Sequence, residues 1–370
     1  MKFITLRSNI KEAISVVEKV SGDNLNLPIL KNVFIETRDG GVFFVTTNLE
    51  IAITCNVSGK VIDGGKITVP IGLLSNLITN IQSDRLNFEK KGNNLEVKTD
   101  NYSAVLQGLP SDDFPITPKI KNAKTHLEIK GSLLKEAIQQ VMAASQFSDL
   151  RPELNSLLFD FSIENLKCAA TDGFRLAEKT ISATLFSAKE MDPFRILVPL
   201  RTSQEILRII KDEDLVRIFH DENQVLFKTE STELISRIID GTFPDYSQLI
   251  SSVFTTEITV NKEEFLNAIK LAGIFGQKNS EVRIKIHDNK KIIEINSADQ
   301  SLGENNYLLP AKIKGGTTET VFNWRYLANA LRAIKTEEAF IGLGEETSPA
   351  LIKSTTDNSY FYILKPIIRA

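Results

Sequence analysis

The sequence predicts an α+β protein built from three copies of one unit, each with two helices packed on β-sheets. Three observations carry this. The chain has 370 residues, too long for one ordinary hydrophobic core, so two or three domains are expected. The stretches KITVPIGLLSNLITNI (66–81), RILVPLRTSQEILRII (195–210) and ETVFNWRYLANALRAI (319–334) share one plan: a short apolar strand, then Pro or Asn, then apolar residues at helical spacing. Pro70 and Pro199 lie 129 residues apart, and Asn323 follows Pro199 by 124, so the plan recurs at near-constant spacing.

Each unit reads the same way in order. An amphipathic helix opens it, at 7–20, 131–147 and 261–276, with apolar residues at i, i+3, i+4 and i+7, as in Leu134, Ile138, Val141 and Met142. A strand pair follows through VFFVTTNLEIAI, LKCAATDGFRLA and IIEINSADQSLG, with Thr47, Thr171 and Ser297 spaced by 124 and 126 residues. The second helices are expected at 70–81, 199–211 and 323–335, where Pro suits a first helical turn and Asn can cap one. Two units close on GLPSDDFP (108–115) and GTFPDY (241–246), their Phe-Pro pairs 129 residues apart, and the third closes on FYILKPIIRA. The unit is longer than the roughly 20–50 residues of solenoid repeats, so each copy can hold its own core.

Composition narrows the class. Hydrophobic residues at 42% and charged residues at 25% suit a soluble globular protein. No window approaches about 18 consecutive apolar residues, so no transmembrane helix is expected. The start, MKFITLRSNIKEAI, turns polar after six residues and predicts no signal peptide. Cys55 and Cys168 each lie in an apolar strand-like run, which argues against a disulfide framework. A cytoplasmic protein is expected.

Net charge is −3, which alone argues mildly against a nucleic-acid binder. Its distribution points the other way. The six candidate helices carry twelve basic and six acidic residues, a sum of +6 that leaves −9 for the remainder. Basic helices in an acidic chain can attract phosphates while the exterior stays repulsive. Taken alone, the same imbalance also fits ordinary solvated helix faces.

Catalytic signatures are missing from the sequence. His126, His220 and His287 are far apart, with no metal-ligand spacing on a helix and no Cys-His cluster. GKVIDGGKIT (59–68) lacks the Gly-Lys-Ser/Thr of a phosphate loop. SDD (111–113) and KDEDL (211–215) read as solvated turns, and no Gly-x-Ser-x-Gly elbow occurs.

One stretch asks for more than a bend. In CAATDGFRLAEKTI (168–181), Asp-Gly between two apolar runs is a hairpin signal, but Phe and Arg follow at once. The matching turns, TTNLEI and NSADQS, lack Gly-Phe-Arg, so the second copy differs where a site would be. LPILKNVFIE (27–36), ITVP (67–70), GLPSDDFP, RPELNSLLFD (151–160), TDGFRLA (171–177) and GTFPDY together resemble the bacterial sliding clamp family, the beta subunit of DNA polymerase III. The match is in order and spans all three repeats.

The resemblance implies domains at 1–122, 123–251 and 252–370, and a head-to-tail homodimer whose ring is lined by helices and faced outside by sheets. Such a ring holds double-stranded DNA through phosphates, without reading sequence, and acts by encirclement. No catalysis, cofactor, metal or membrane contact is expected. Pore contacts are expected from Lys11, Lys135, Arg151, Arg201, Arg208, Arg325 and Arg332. A hydrophobic groove on the second and third domains would bind linear motifs of the replicative polymerase alpha subunit, the clamp loader, other polymerases and repair proteins. By residue it would use Leu154, Thr171, Gly173, Phe174, Arg175, Leu176, Pro244 and Leu249, with Ile363, Pro366, Ile367 and Arg369 from the tail. Ile274 and Phe275 of GIFGQ (273–277) are expected at the first-to-third domain contact.

The chain departs from the family pattern in places. The family commonly carries His where Phe174 stands. LKPIIRA is one residue longer between Pro and Arg than the pattern, leaving open whether Ile367 or Ile368 enters the groove and what Arg369 does. SGDNLN (21–26) carries no basic residue. Two rival readings remain: a clamp-like scaffold that never encircles DNA, and an enzyme using Asp172 with Arg175.

Overall fold

The computed structural model describes residues 1–22, 26–38, 40–120, 125–148, 150–250, 253–276, 280–287, 291–345 and 347–368. The first copy contains β1 (Lys2–Leu6), α1 (Arg7–Val17), β2 (Asn32–Arg38), β3 (Gly41–Thr47), β4 (Ile51–Val57) and β5 (Gly59–Asp63). It continues with β6 (Gly65–Pro70), α2 (Ile71–Asn80), β7 (Arg85–Lys91), β8 (Asn94–Lys98) and β9 (Ser103–Leu106). The second contains β10 (His126–Lys130), α3 (Gly131–Met142), β11 (Ser156–Phe161), β12 (Asn165–Thr171), β13 (Arg175–Ser182) and β14 (Phe186–Lys189). Then come β15 (Phe194–Pro199), α4 (Leu200–Ile209), β16 (Leu215–His220), β17 (Gln224–Lys228) and β18 (Thr232–Arg237). The third contains β19 (Thr256–Asn261), α5 (Lys262–Phe275), β20 (Glu281–His287), β21 (Ile292–Asp299), β22 (Gly303–Pro310) and β23 (Lys312–Gly315). It ends with β24 (Thr318–Asn323), α6 (Trp324–Ala333), β25 (Glu338–Leu343), β26 (Ala350–Ser354) and β27 (Tyr360–Leu364).

Among the described residues each copy is therefore strand, helix, five strands, helix, three strands. The opening strand corrects the expectation of an opening helix. KFITL, HLEIK and TEITVN alternate buried and partly exposed positions, the period of a half-buried strand, and run into the helix without a turn. α3 ends at Met142, short of the expected 147. The Ser145 hydroxyl donates to the Met142 carbonyl at 2.7 Å, offering the last turn a side-chain partner in place of further helix. Asn323 caps α6, its side chain accepting from the Arg325 and Tyr326 amides.

The chain divides into two compact bodies. The first, Met1–Lys135 with Phe186–Met191 and Arg201–Ile238, holds a five-stranded sheet (β5-β1-β7-β8-β9) and a nine-stranded one (β14-β10-β16-β17-β18-β4-β3-β2-β6). Its α1 buries Ile10, Ala13, Ile14 and Val17, and Phe3 stacks on Phe88 at 4.7 Å. The second body, the remainder, holds a nine-stranded sheet (β15-β11-β12-β13-β27-β26-β25-β19-β23) and a four-stranded one (β22-β21-β20-β24). There α5 buries Phe265, Leu266, Ala268, Ile269 and Ala272. A Cβ on Gly273 would lie 2.7 Å from the Trp324 ring, so glycine permits the close approach of α5 and α6. Burying each large apolar side chain contributes about 1.5–3 kcal/mol.

One pairing rule joins the copies. β18, the ninth strand of the second copy, pairs antiparallel with β4, the fourth of the first, setting Glu233 against Thr54. β27, the ninth of the third, pairs with β13, the fourth of the second, setting Phe361 against Glu178. The ninth strand of the first copy, β9, and the fourth of the third, β22, each end a sheet.

Candidate functional site

The TDGFR turn lies in the second body, between β12 and β13. Gly173 adopts φ 89°, a conformation that favours glycine. Asp172 holds the loop together: one carboxylate oxygen accepts from the Phe174 and Arg175 amides at 2.9 and 3.0 Å, the other from Arg175 Nε at 2.8 Å. Thr171 Oγ1 accepts from the Gly173 amide at 3.1 Å and donates to the Arg175 carbonyl at 2.7 Å. The Asp172 side chain is 1% exposed and that of Arg175 10%. The Arg175 guanidinium also stacks over the Tyr326 ring at 3.8 Å. With its polar groups tied inward, the turn presents Phe174, which is 60% exposed. Asp172 and Arg175 thus serve the turn, which disfavours the reading of them as an enzymatic pair.

Below the turn, Leu176 and Ile363 face each other across β13 and β27. Both belong to one buried cluster with Leu158, Ala169, Phe243, Tyr246 and Leu351. The Tyr246 hydroxyl donates to Glu178 at 2.6 Å, and burial followed by the neighbouring Glu178 pushes this phenol far above its ordinary range. Pro244 is half-buried, whereas Leu249, on a short 3-10 turn, is 38% exposed. Leu154 is buried at the end of another such turn and stands outside the cluster.

The tail is anchored at two points. The Lys365 amide donates to the Phe174 carbonyl at 2.9 Å, and the Ile367 amide to the Val321 carbonyl at 2.8 Å. Pro366, Ile367 and Ile368 line a cleft of about 390 Å³ with Arg283, Glu319 and Val321. Ile368 is 68% exposed, whereas Ile367 is half-buried. Arg369 lies outside the described residues, as do 23–25 of the SGDNLN loop and Gln277. Sequence reasoning missed Tyr326, whose signal was only an aromatic on a helix face, and Tyr246, which closes the GTFPDY motif.

The basic residues can be placed body by body. In the first, Lys11, Arg201 and Arg208 are exposed. Lys135 pairs with Asp212 at 2.5 Å and Arg208 with Glu205 at 2.9 Å. In the second, Arg151 pairs with Glu153 at 3.0 Å, Arg325 lies over the Trp324 ring at 4.6 Å, and Arg332 donates to Asn329 at 3.2 Å. Each of these ion pairs has one exposed partner, and solvent-screened pairs are worth little. At the end of α5, Ile274 is 53% exposed and Phe275 half-buried. Among the described residues no group of His, Cys, Asp or Glu could hold a metal, and no helix is long and apolar enough to cross a membrane.

Three like domains joined by strand pairing, with an apolar groove beside the last junction, define a sliding-clamp fold. Family models for the N-terminal, central and C-terminal domains of the DNA polymerase III beta subunit match residues 1–118, 128–245 and 247–368. The beta sliding clamp of Synechococcus elongatus is 27% identical over 99% of both chains, and that of Bacillus subtilis 26% identical over the same share. The crystal structure of the DNA polymerase sliding clamp from Bacillus subtilis superposes with a TM-score of 0.94 at 26% identity, covering 100% of each chain. The chain belongs to the bacterial DNA polymerase III beta subunit family.

Proposed function

We propose that two copies of this chain close head to tail into a ring that encircles duplex DNA and tethers the replicative polymerase for processive synthesis. The observation that carries the ring is the pairing rule. Both junctions within the chain join a ninth strand to a fourth and make sheets of nine strands. The chain is left with a five-stranded sheet ending in ninth strand β9 and a four-stranded sheet ending in fourth strand β22. Pairing β9 with β22 of a second copy completes a third nine-stranded sheet, and doing so twice closes the ring. Exposed apolar residues at both edges support it: Val105 is 57% exposed, Leu308 58% and Ile274 53%. An unpaired edge of this kind is otherwise a liability.

The matched family segments support domains at 1–122, 123–251 and 252–370. The six observed helices carry nine basic and five acidic residues, which supports their facing the DNA and holding phosphates without base readout. Lys11, Lys135, Arg151, Arg201, Arg208, Arg325 and Arg332 are the proposed contacts. The surface around Phe174, Leu176, Pro244, Leu249, Ile363 and Pro366 is the proposed seat for linear motifs of the polymerase alpha subunit, clamp loader, other polymerases and repair proteins. Its exposed Phe174 and Leu249 over a buried apolar floor suit Leu or Phe anchors. The chain makes and breaks no bond; tethering is its work, in the bacterial cytoplasm. Sedimentation equilibrium tests the ring: a mass of twice 41.3 kDa is expected, and a monomer at every concentration would exclude it.

A further inference from the structure

The two junctions inside the chain share one register, so their faces correspond residue for residue. Glu233 against Thr54 and Ile235 against Ala52 at the first match Phe361 against Glu178 and Ile363 against Leu176 at the second. On the adjoining strands, Leu226, Arg217 and Phe219 match Leu351, Phe340 and Gly342. The segments crossing these faces correspond as well. Phe114-Pro115 matches Phe243-Pro244, which places Thr117 where the second junction has Tyr246.

At the second junction this space is filled. Tyr246 reaches Glu178, and Phe254 packs edge-on to Phe340 at 5.8 Å, its ring 2.6 Å from where a Cβ on Gly342 would be. At the first junction Thr117 supplies no ring, and Thr54 no carboxylate to hold one. A cleft of about 480 Å³ remains, within the roughly 300–1,000 Å³ of ligand sites. Phe219, Leu226 and Ile235 supply apolar lining, and Ile120 contributes from the crossing segment. Four permanent cations line it, Arg38, Lys119, Arg217 and Lys228, against Glu233 in the lining and Glu36 and Glu128, which pair with Arg38 and Arg217 from beyond it, an excess of one positive charge.

We infer that the first junction is a second docking cleft, taking an extended acidic peptide of a partner protein that carries a short apolar anchor. The anchor follows from the apolar lining. The acidic character follows from the cations, which gather here in a chain whose net charge is −3. Lys228 pairs with Glu233 at 2.5 Å, Arg217 with Glu128 at 2.8 Å and Arg38 with Glu36 at 3.4 Å. The three cationic side chains are 41–48% exposed, with Glu233 44%, Glu36 31% and Glu128 23%, so water screens the cation of each pair and an incoming carboxylate can exchange onto it. His126 stands beside Phe219 at 5.1 Å in the same cleft, its buried Nδ1 without a partner among the described residues.

The test is fluorescence anisotropy of the labelled heptapeptide DEDLFDE with the full chain. Saturable binding is expected, weakened at least tenfold by Arg217→Ala with Lys228→Ala. Thr117→Tyr, which restores the ring found at the second junction, should weaken it as much by filling the cleft. Phe174→Glu, which alters the other groove, should change it less than twofold. No saturation up to about 1 mM peptide, equal binding of the basic peptide KRKLFKR, or loss of binding on Phe174→Glu would each overturn the inference. If Thr117→Tyr does not fold, the surface pair Arg217→Ala and Lys228→Ala still decides it.

Discussion

Asp172 shows how much one side chain settles at the residue scale. Its carboxylate spans the hairpin and is nearly inaccessible, so removing its cation leaves a buried charge. Arg175→Ala should cost about 3 kcal/mol in denaturant unfolding, and a loss under about 0.5 kcal/mol, typical of a neutral surface change, would contradict the buried pair. Phe174→Glu removes an exposed anchor surface and should cut partner-peptide affinity roughly tenfold or more, with the oligomeric mass unchanged. Burial pushes the Cys168 thiol up to about 12 and Cys55 up to about 11, from 9.0. A raised folded pKa gives stability that is full below about pH 9 and is lost as pH climbs through 11–12. Both thiols should therefore resist iodoacetamide at neutral pH until the chain unfolds, and alkylation of the native protein would contradict their burial. The turn was legible because Gly accepts a positive φ and Asp a local role. Tyr326 was not, because its partner Arg175 comes from another copy and no local pattern links them.

Elements were legible where periodicity was long. The six helices were all expected, but β1, β10 and β19 were not separated from them, since five or six alternating residues leading straight into a helix offer no turn signal. Strand pairing between copies is a non-local choice that no window of sequence encodes. Its consequence is testable. Carrying the internal junction register over to the open edges sets Ser103 of β9 against Asn306 of the partner subunit. Ser103→Cys with Asn306→Cys should form intersubunit disulfides under mild oxidation, undisturbed by the two buried native cysteines. Monomer alone on a non-reducing gel would place the interface elsewhere. Ile274→Asp, at an exposed apolar edge position, should shift the protein to a 41.3 kDa monomer while its circular dichroism stays unchanged.

At the scale of the whole molecule, the threefold repeat was legible because ordered landmarks recur, and the charge split because it is arithmetic on the sequence. Closure was not legible: it depends on which strand edges remain unpaired. If the helices hold duplex DNA through phosphates, Arg208→Glu should speed escape from DNA. It should also flatten the logarithmic salt dependence by about 0.9 for each phosphate the ring no longer neutralises. Retention insensitive to salt would contradict phosphate binding. Encirclement itself is tested most directly by loading the protein onto a closed DNA circle with a clamp loader and ATP, then cutting the circle. A ring stays on the circle and runs off the linear form. Loss from both at the same rate would contradict encirclement and leave only ordinary binding.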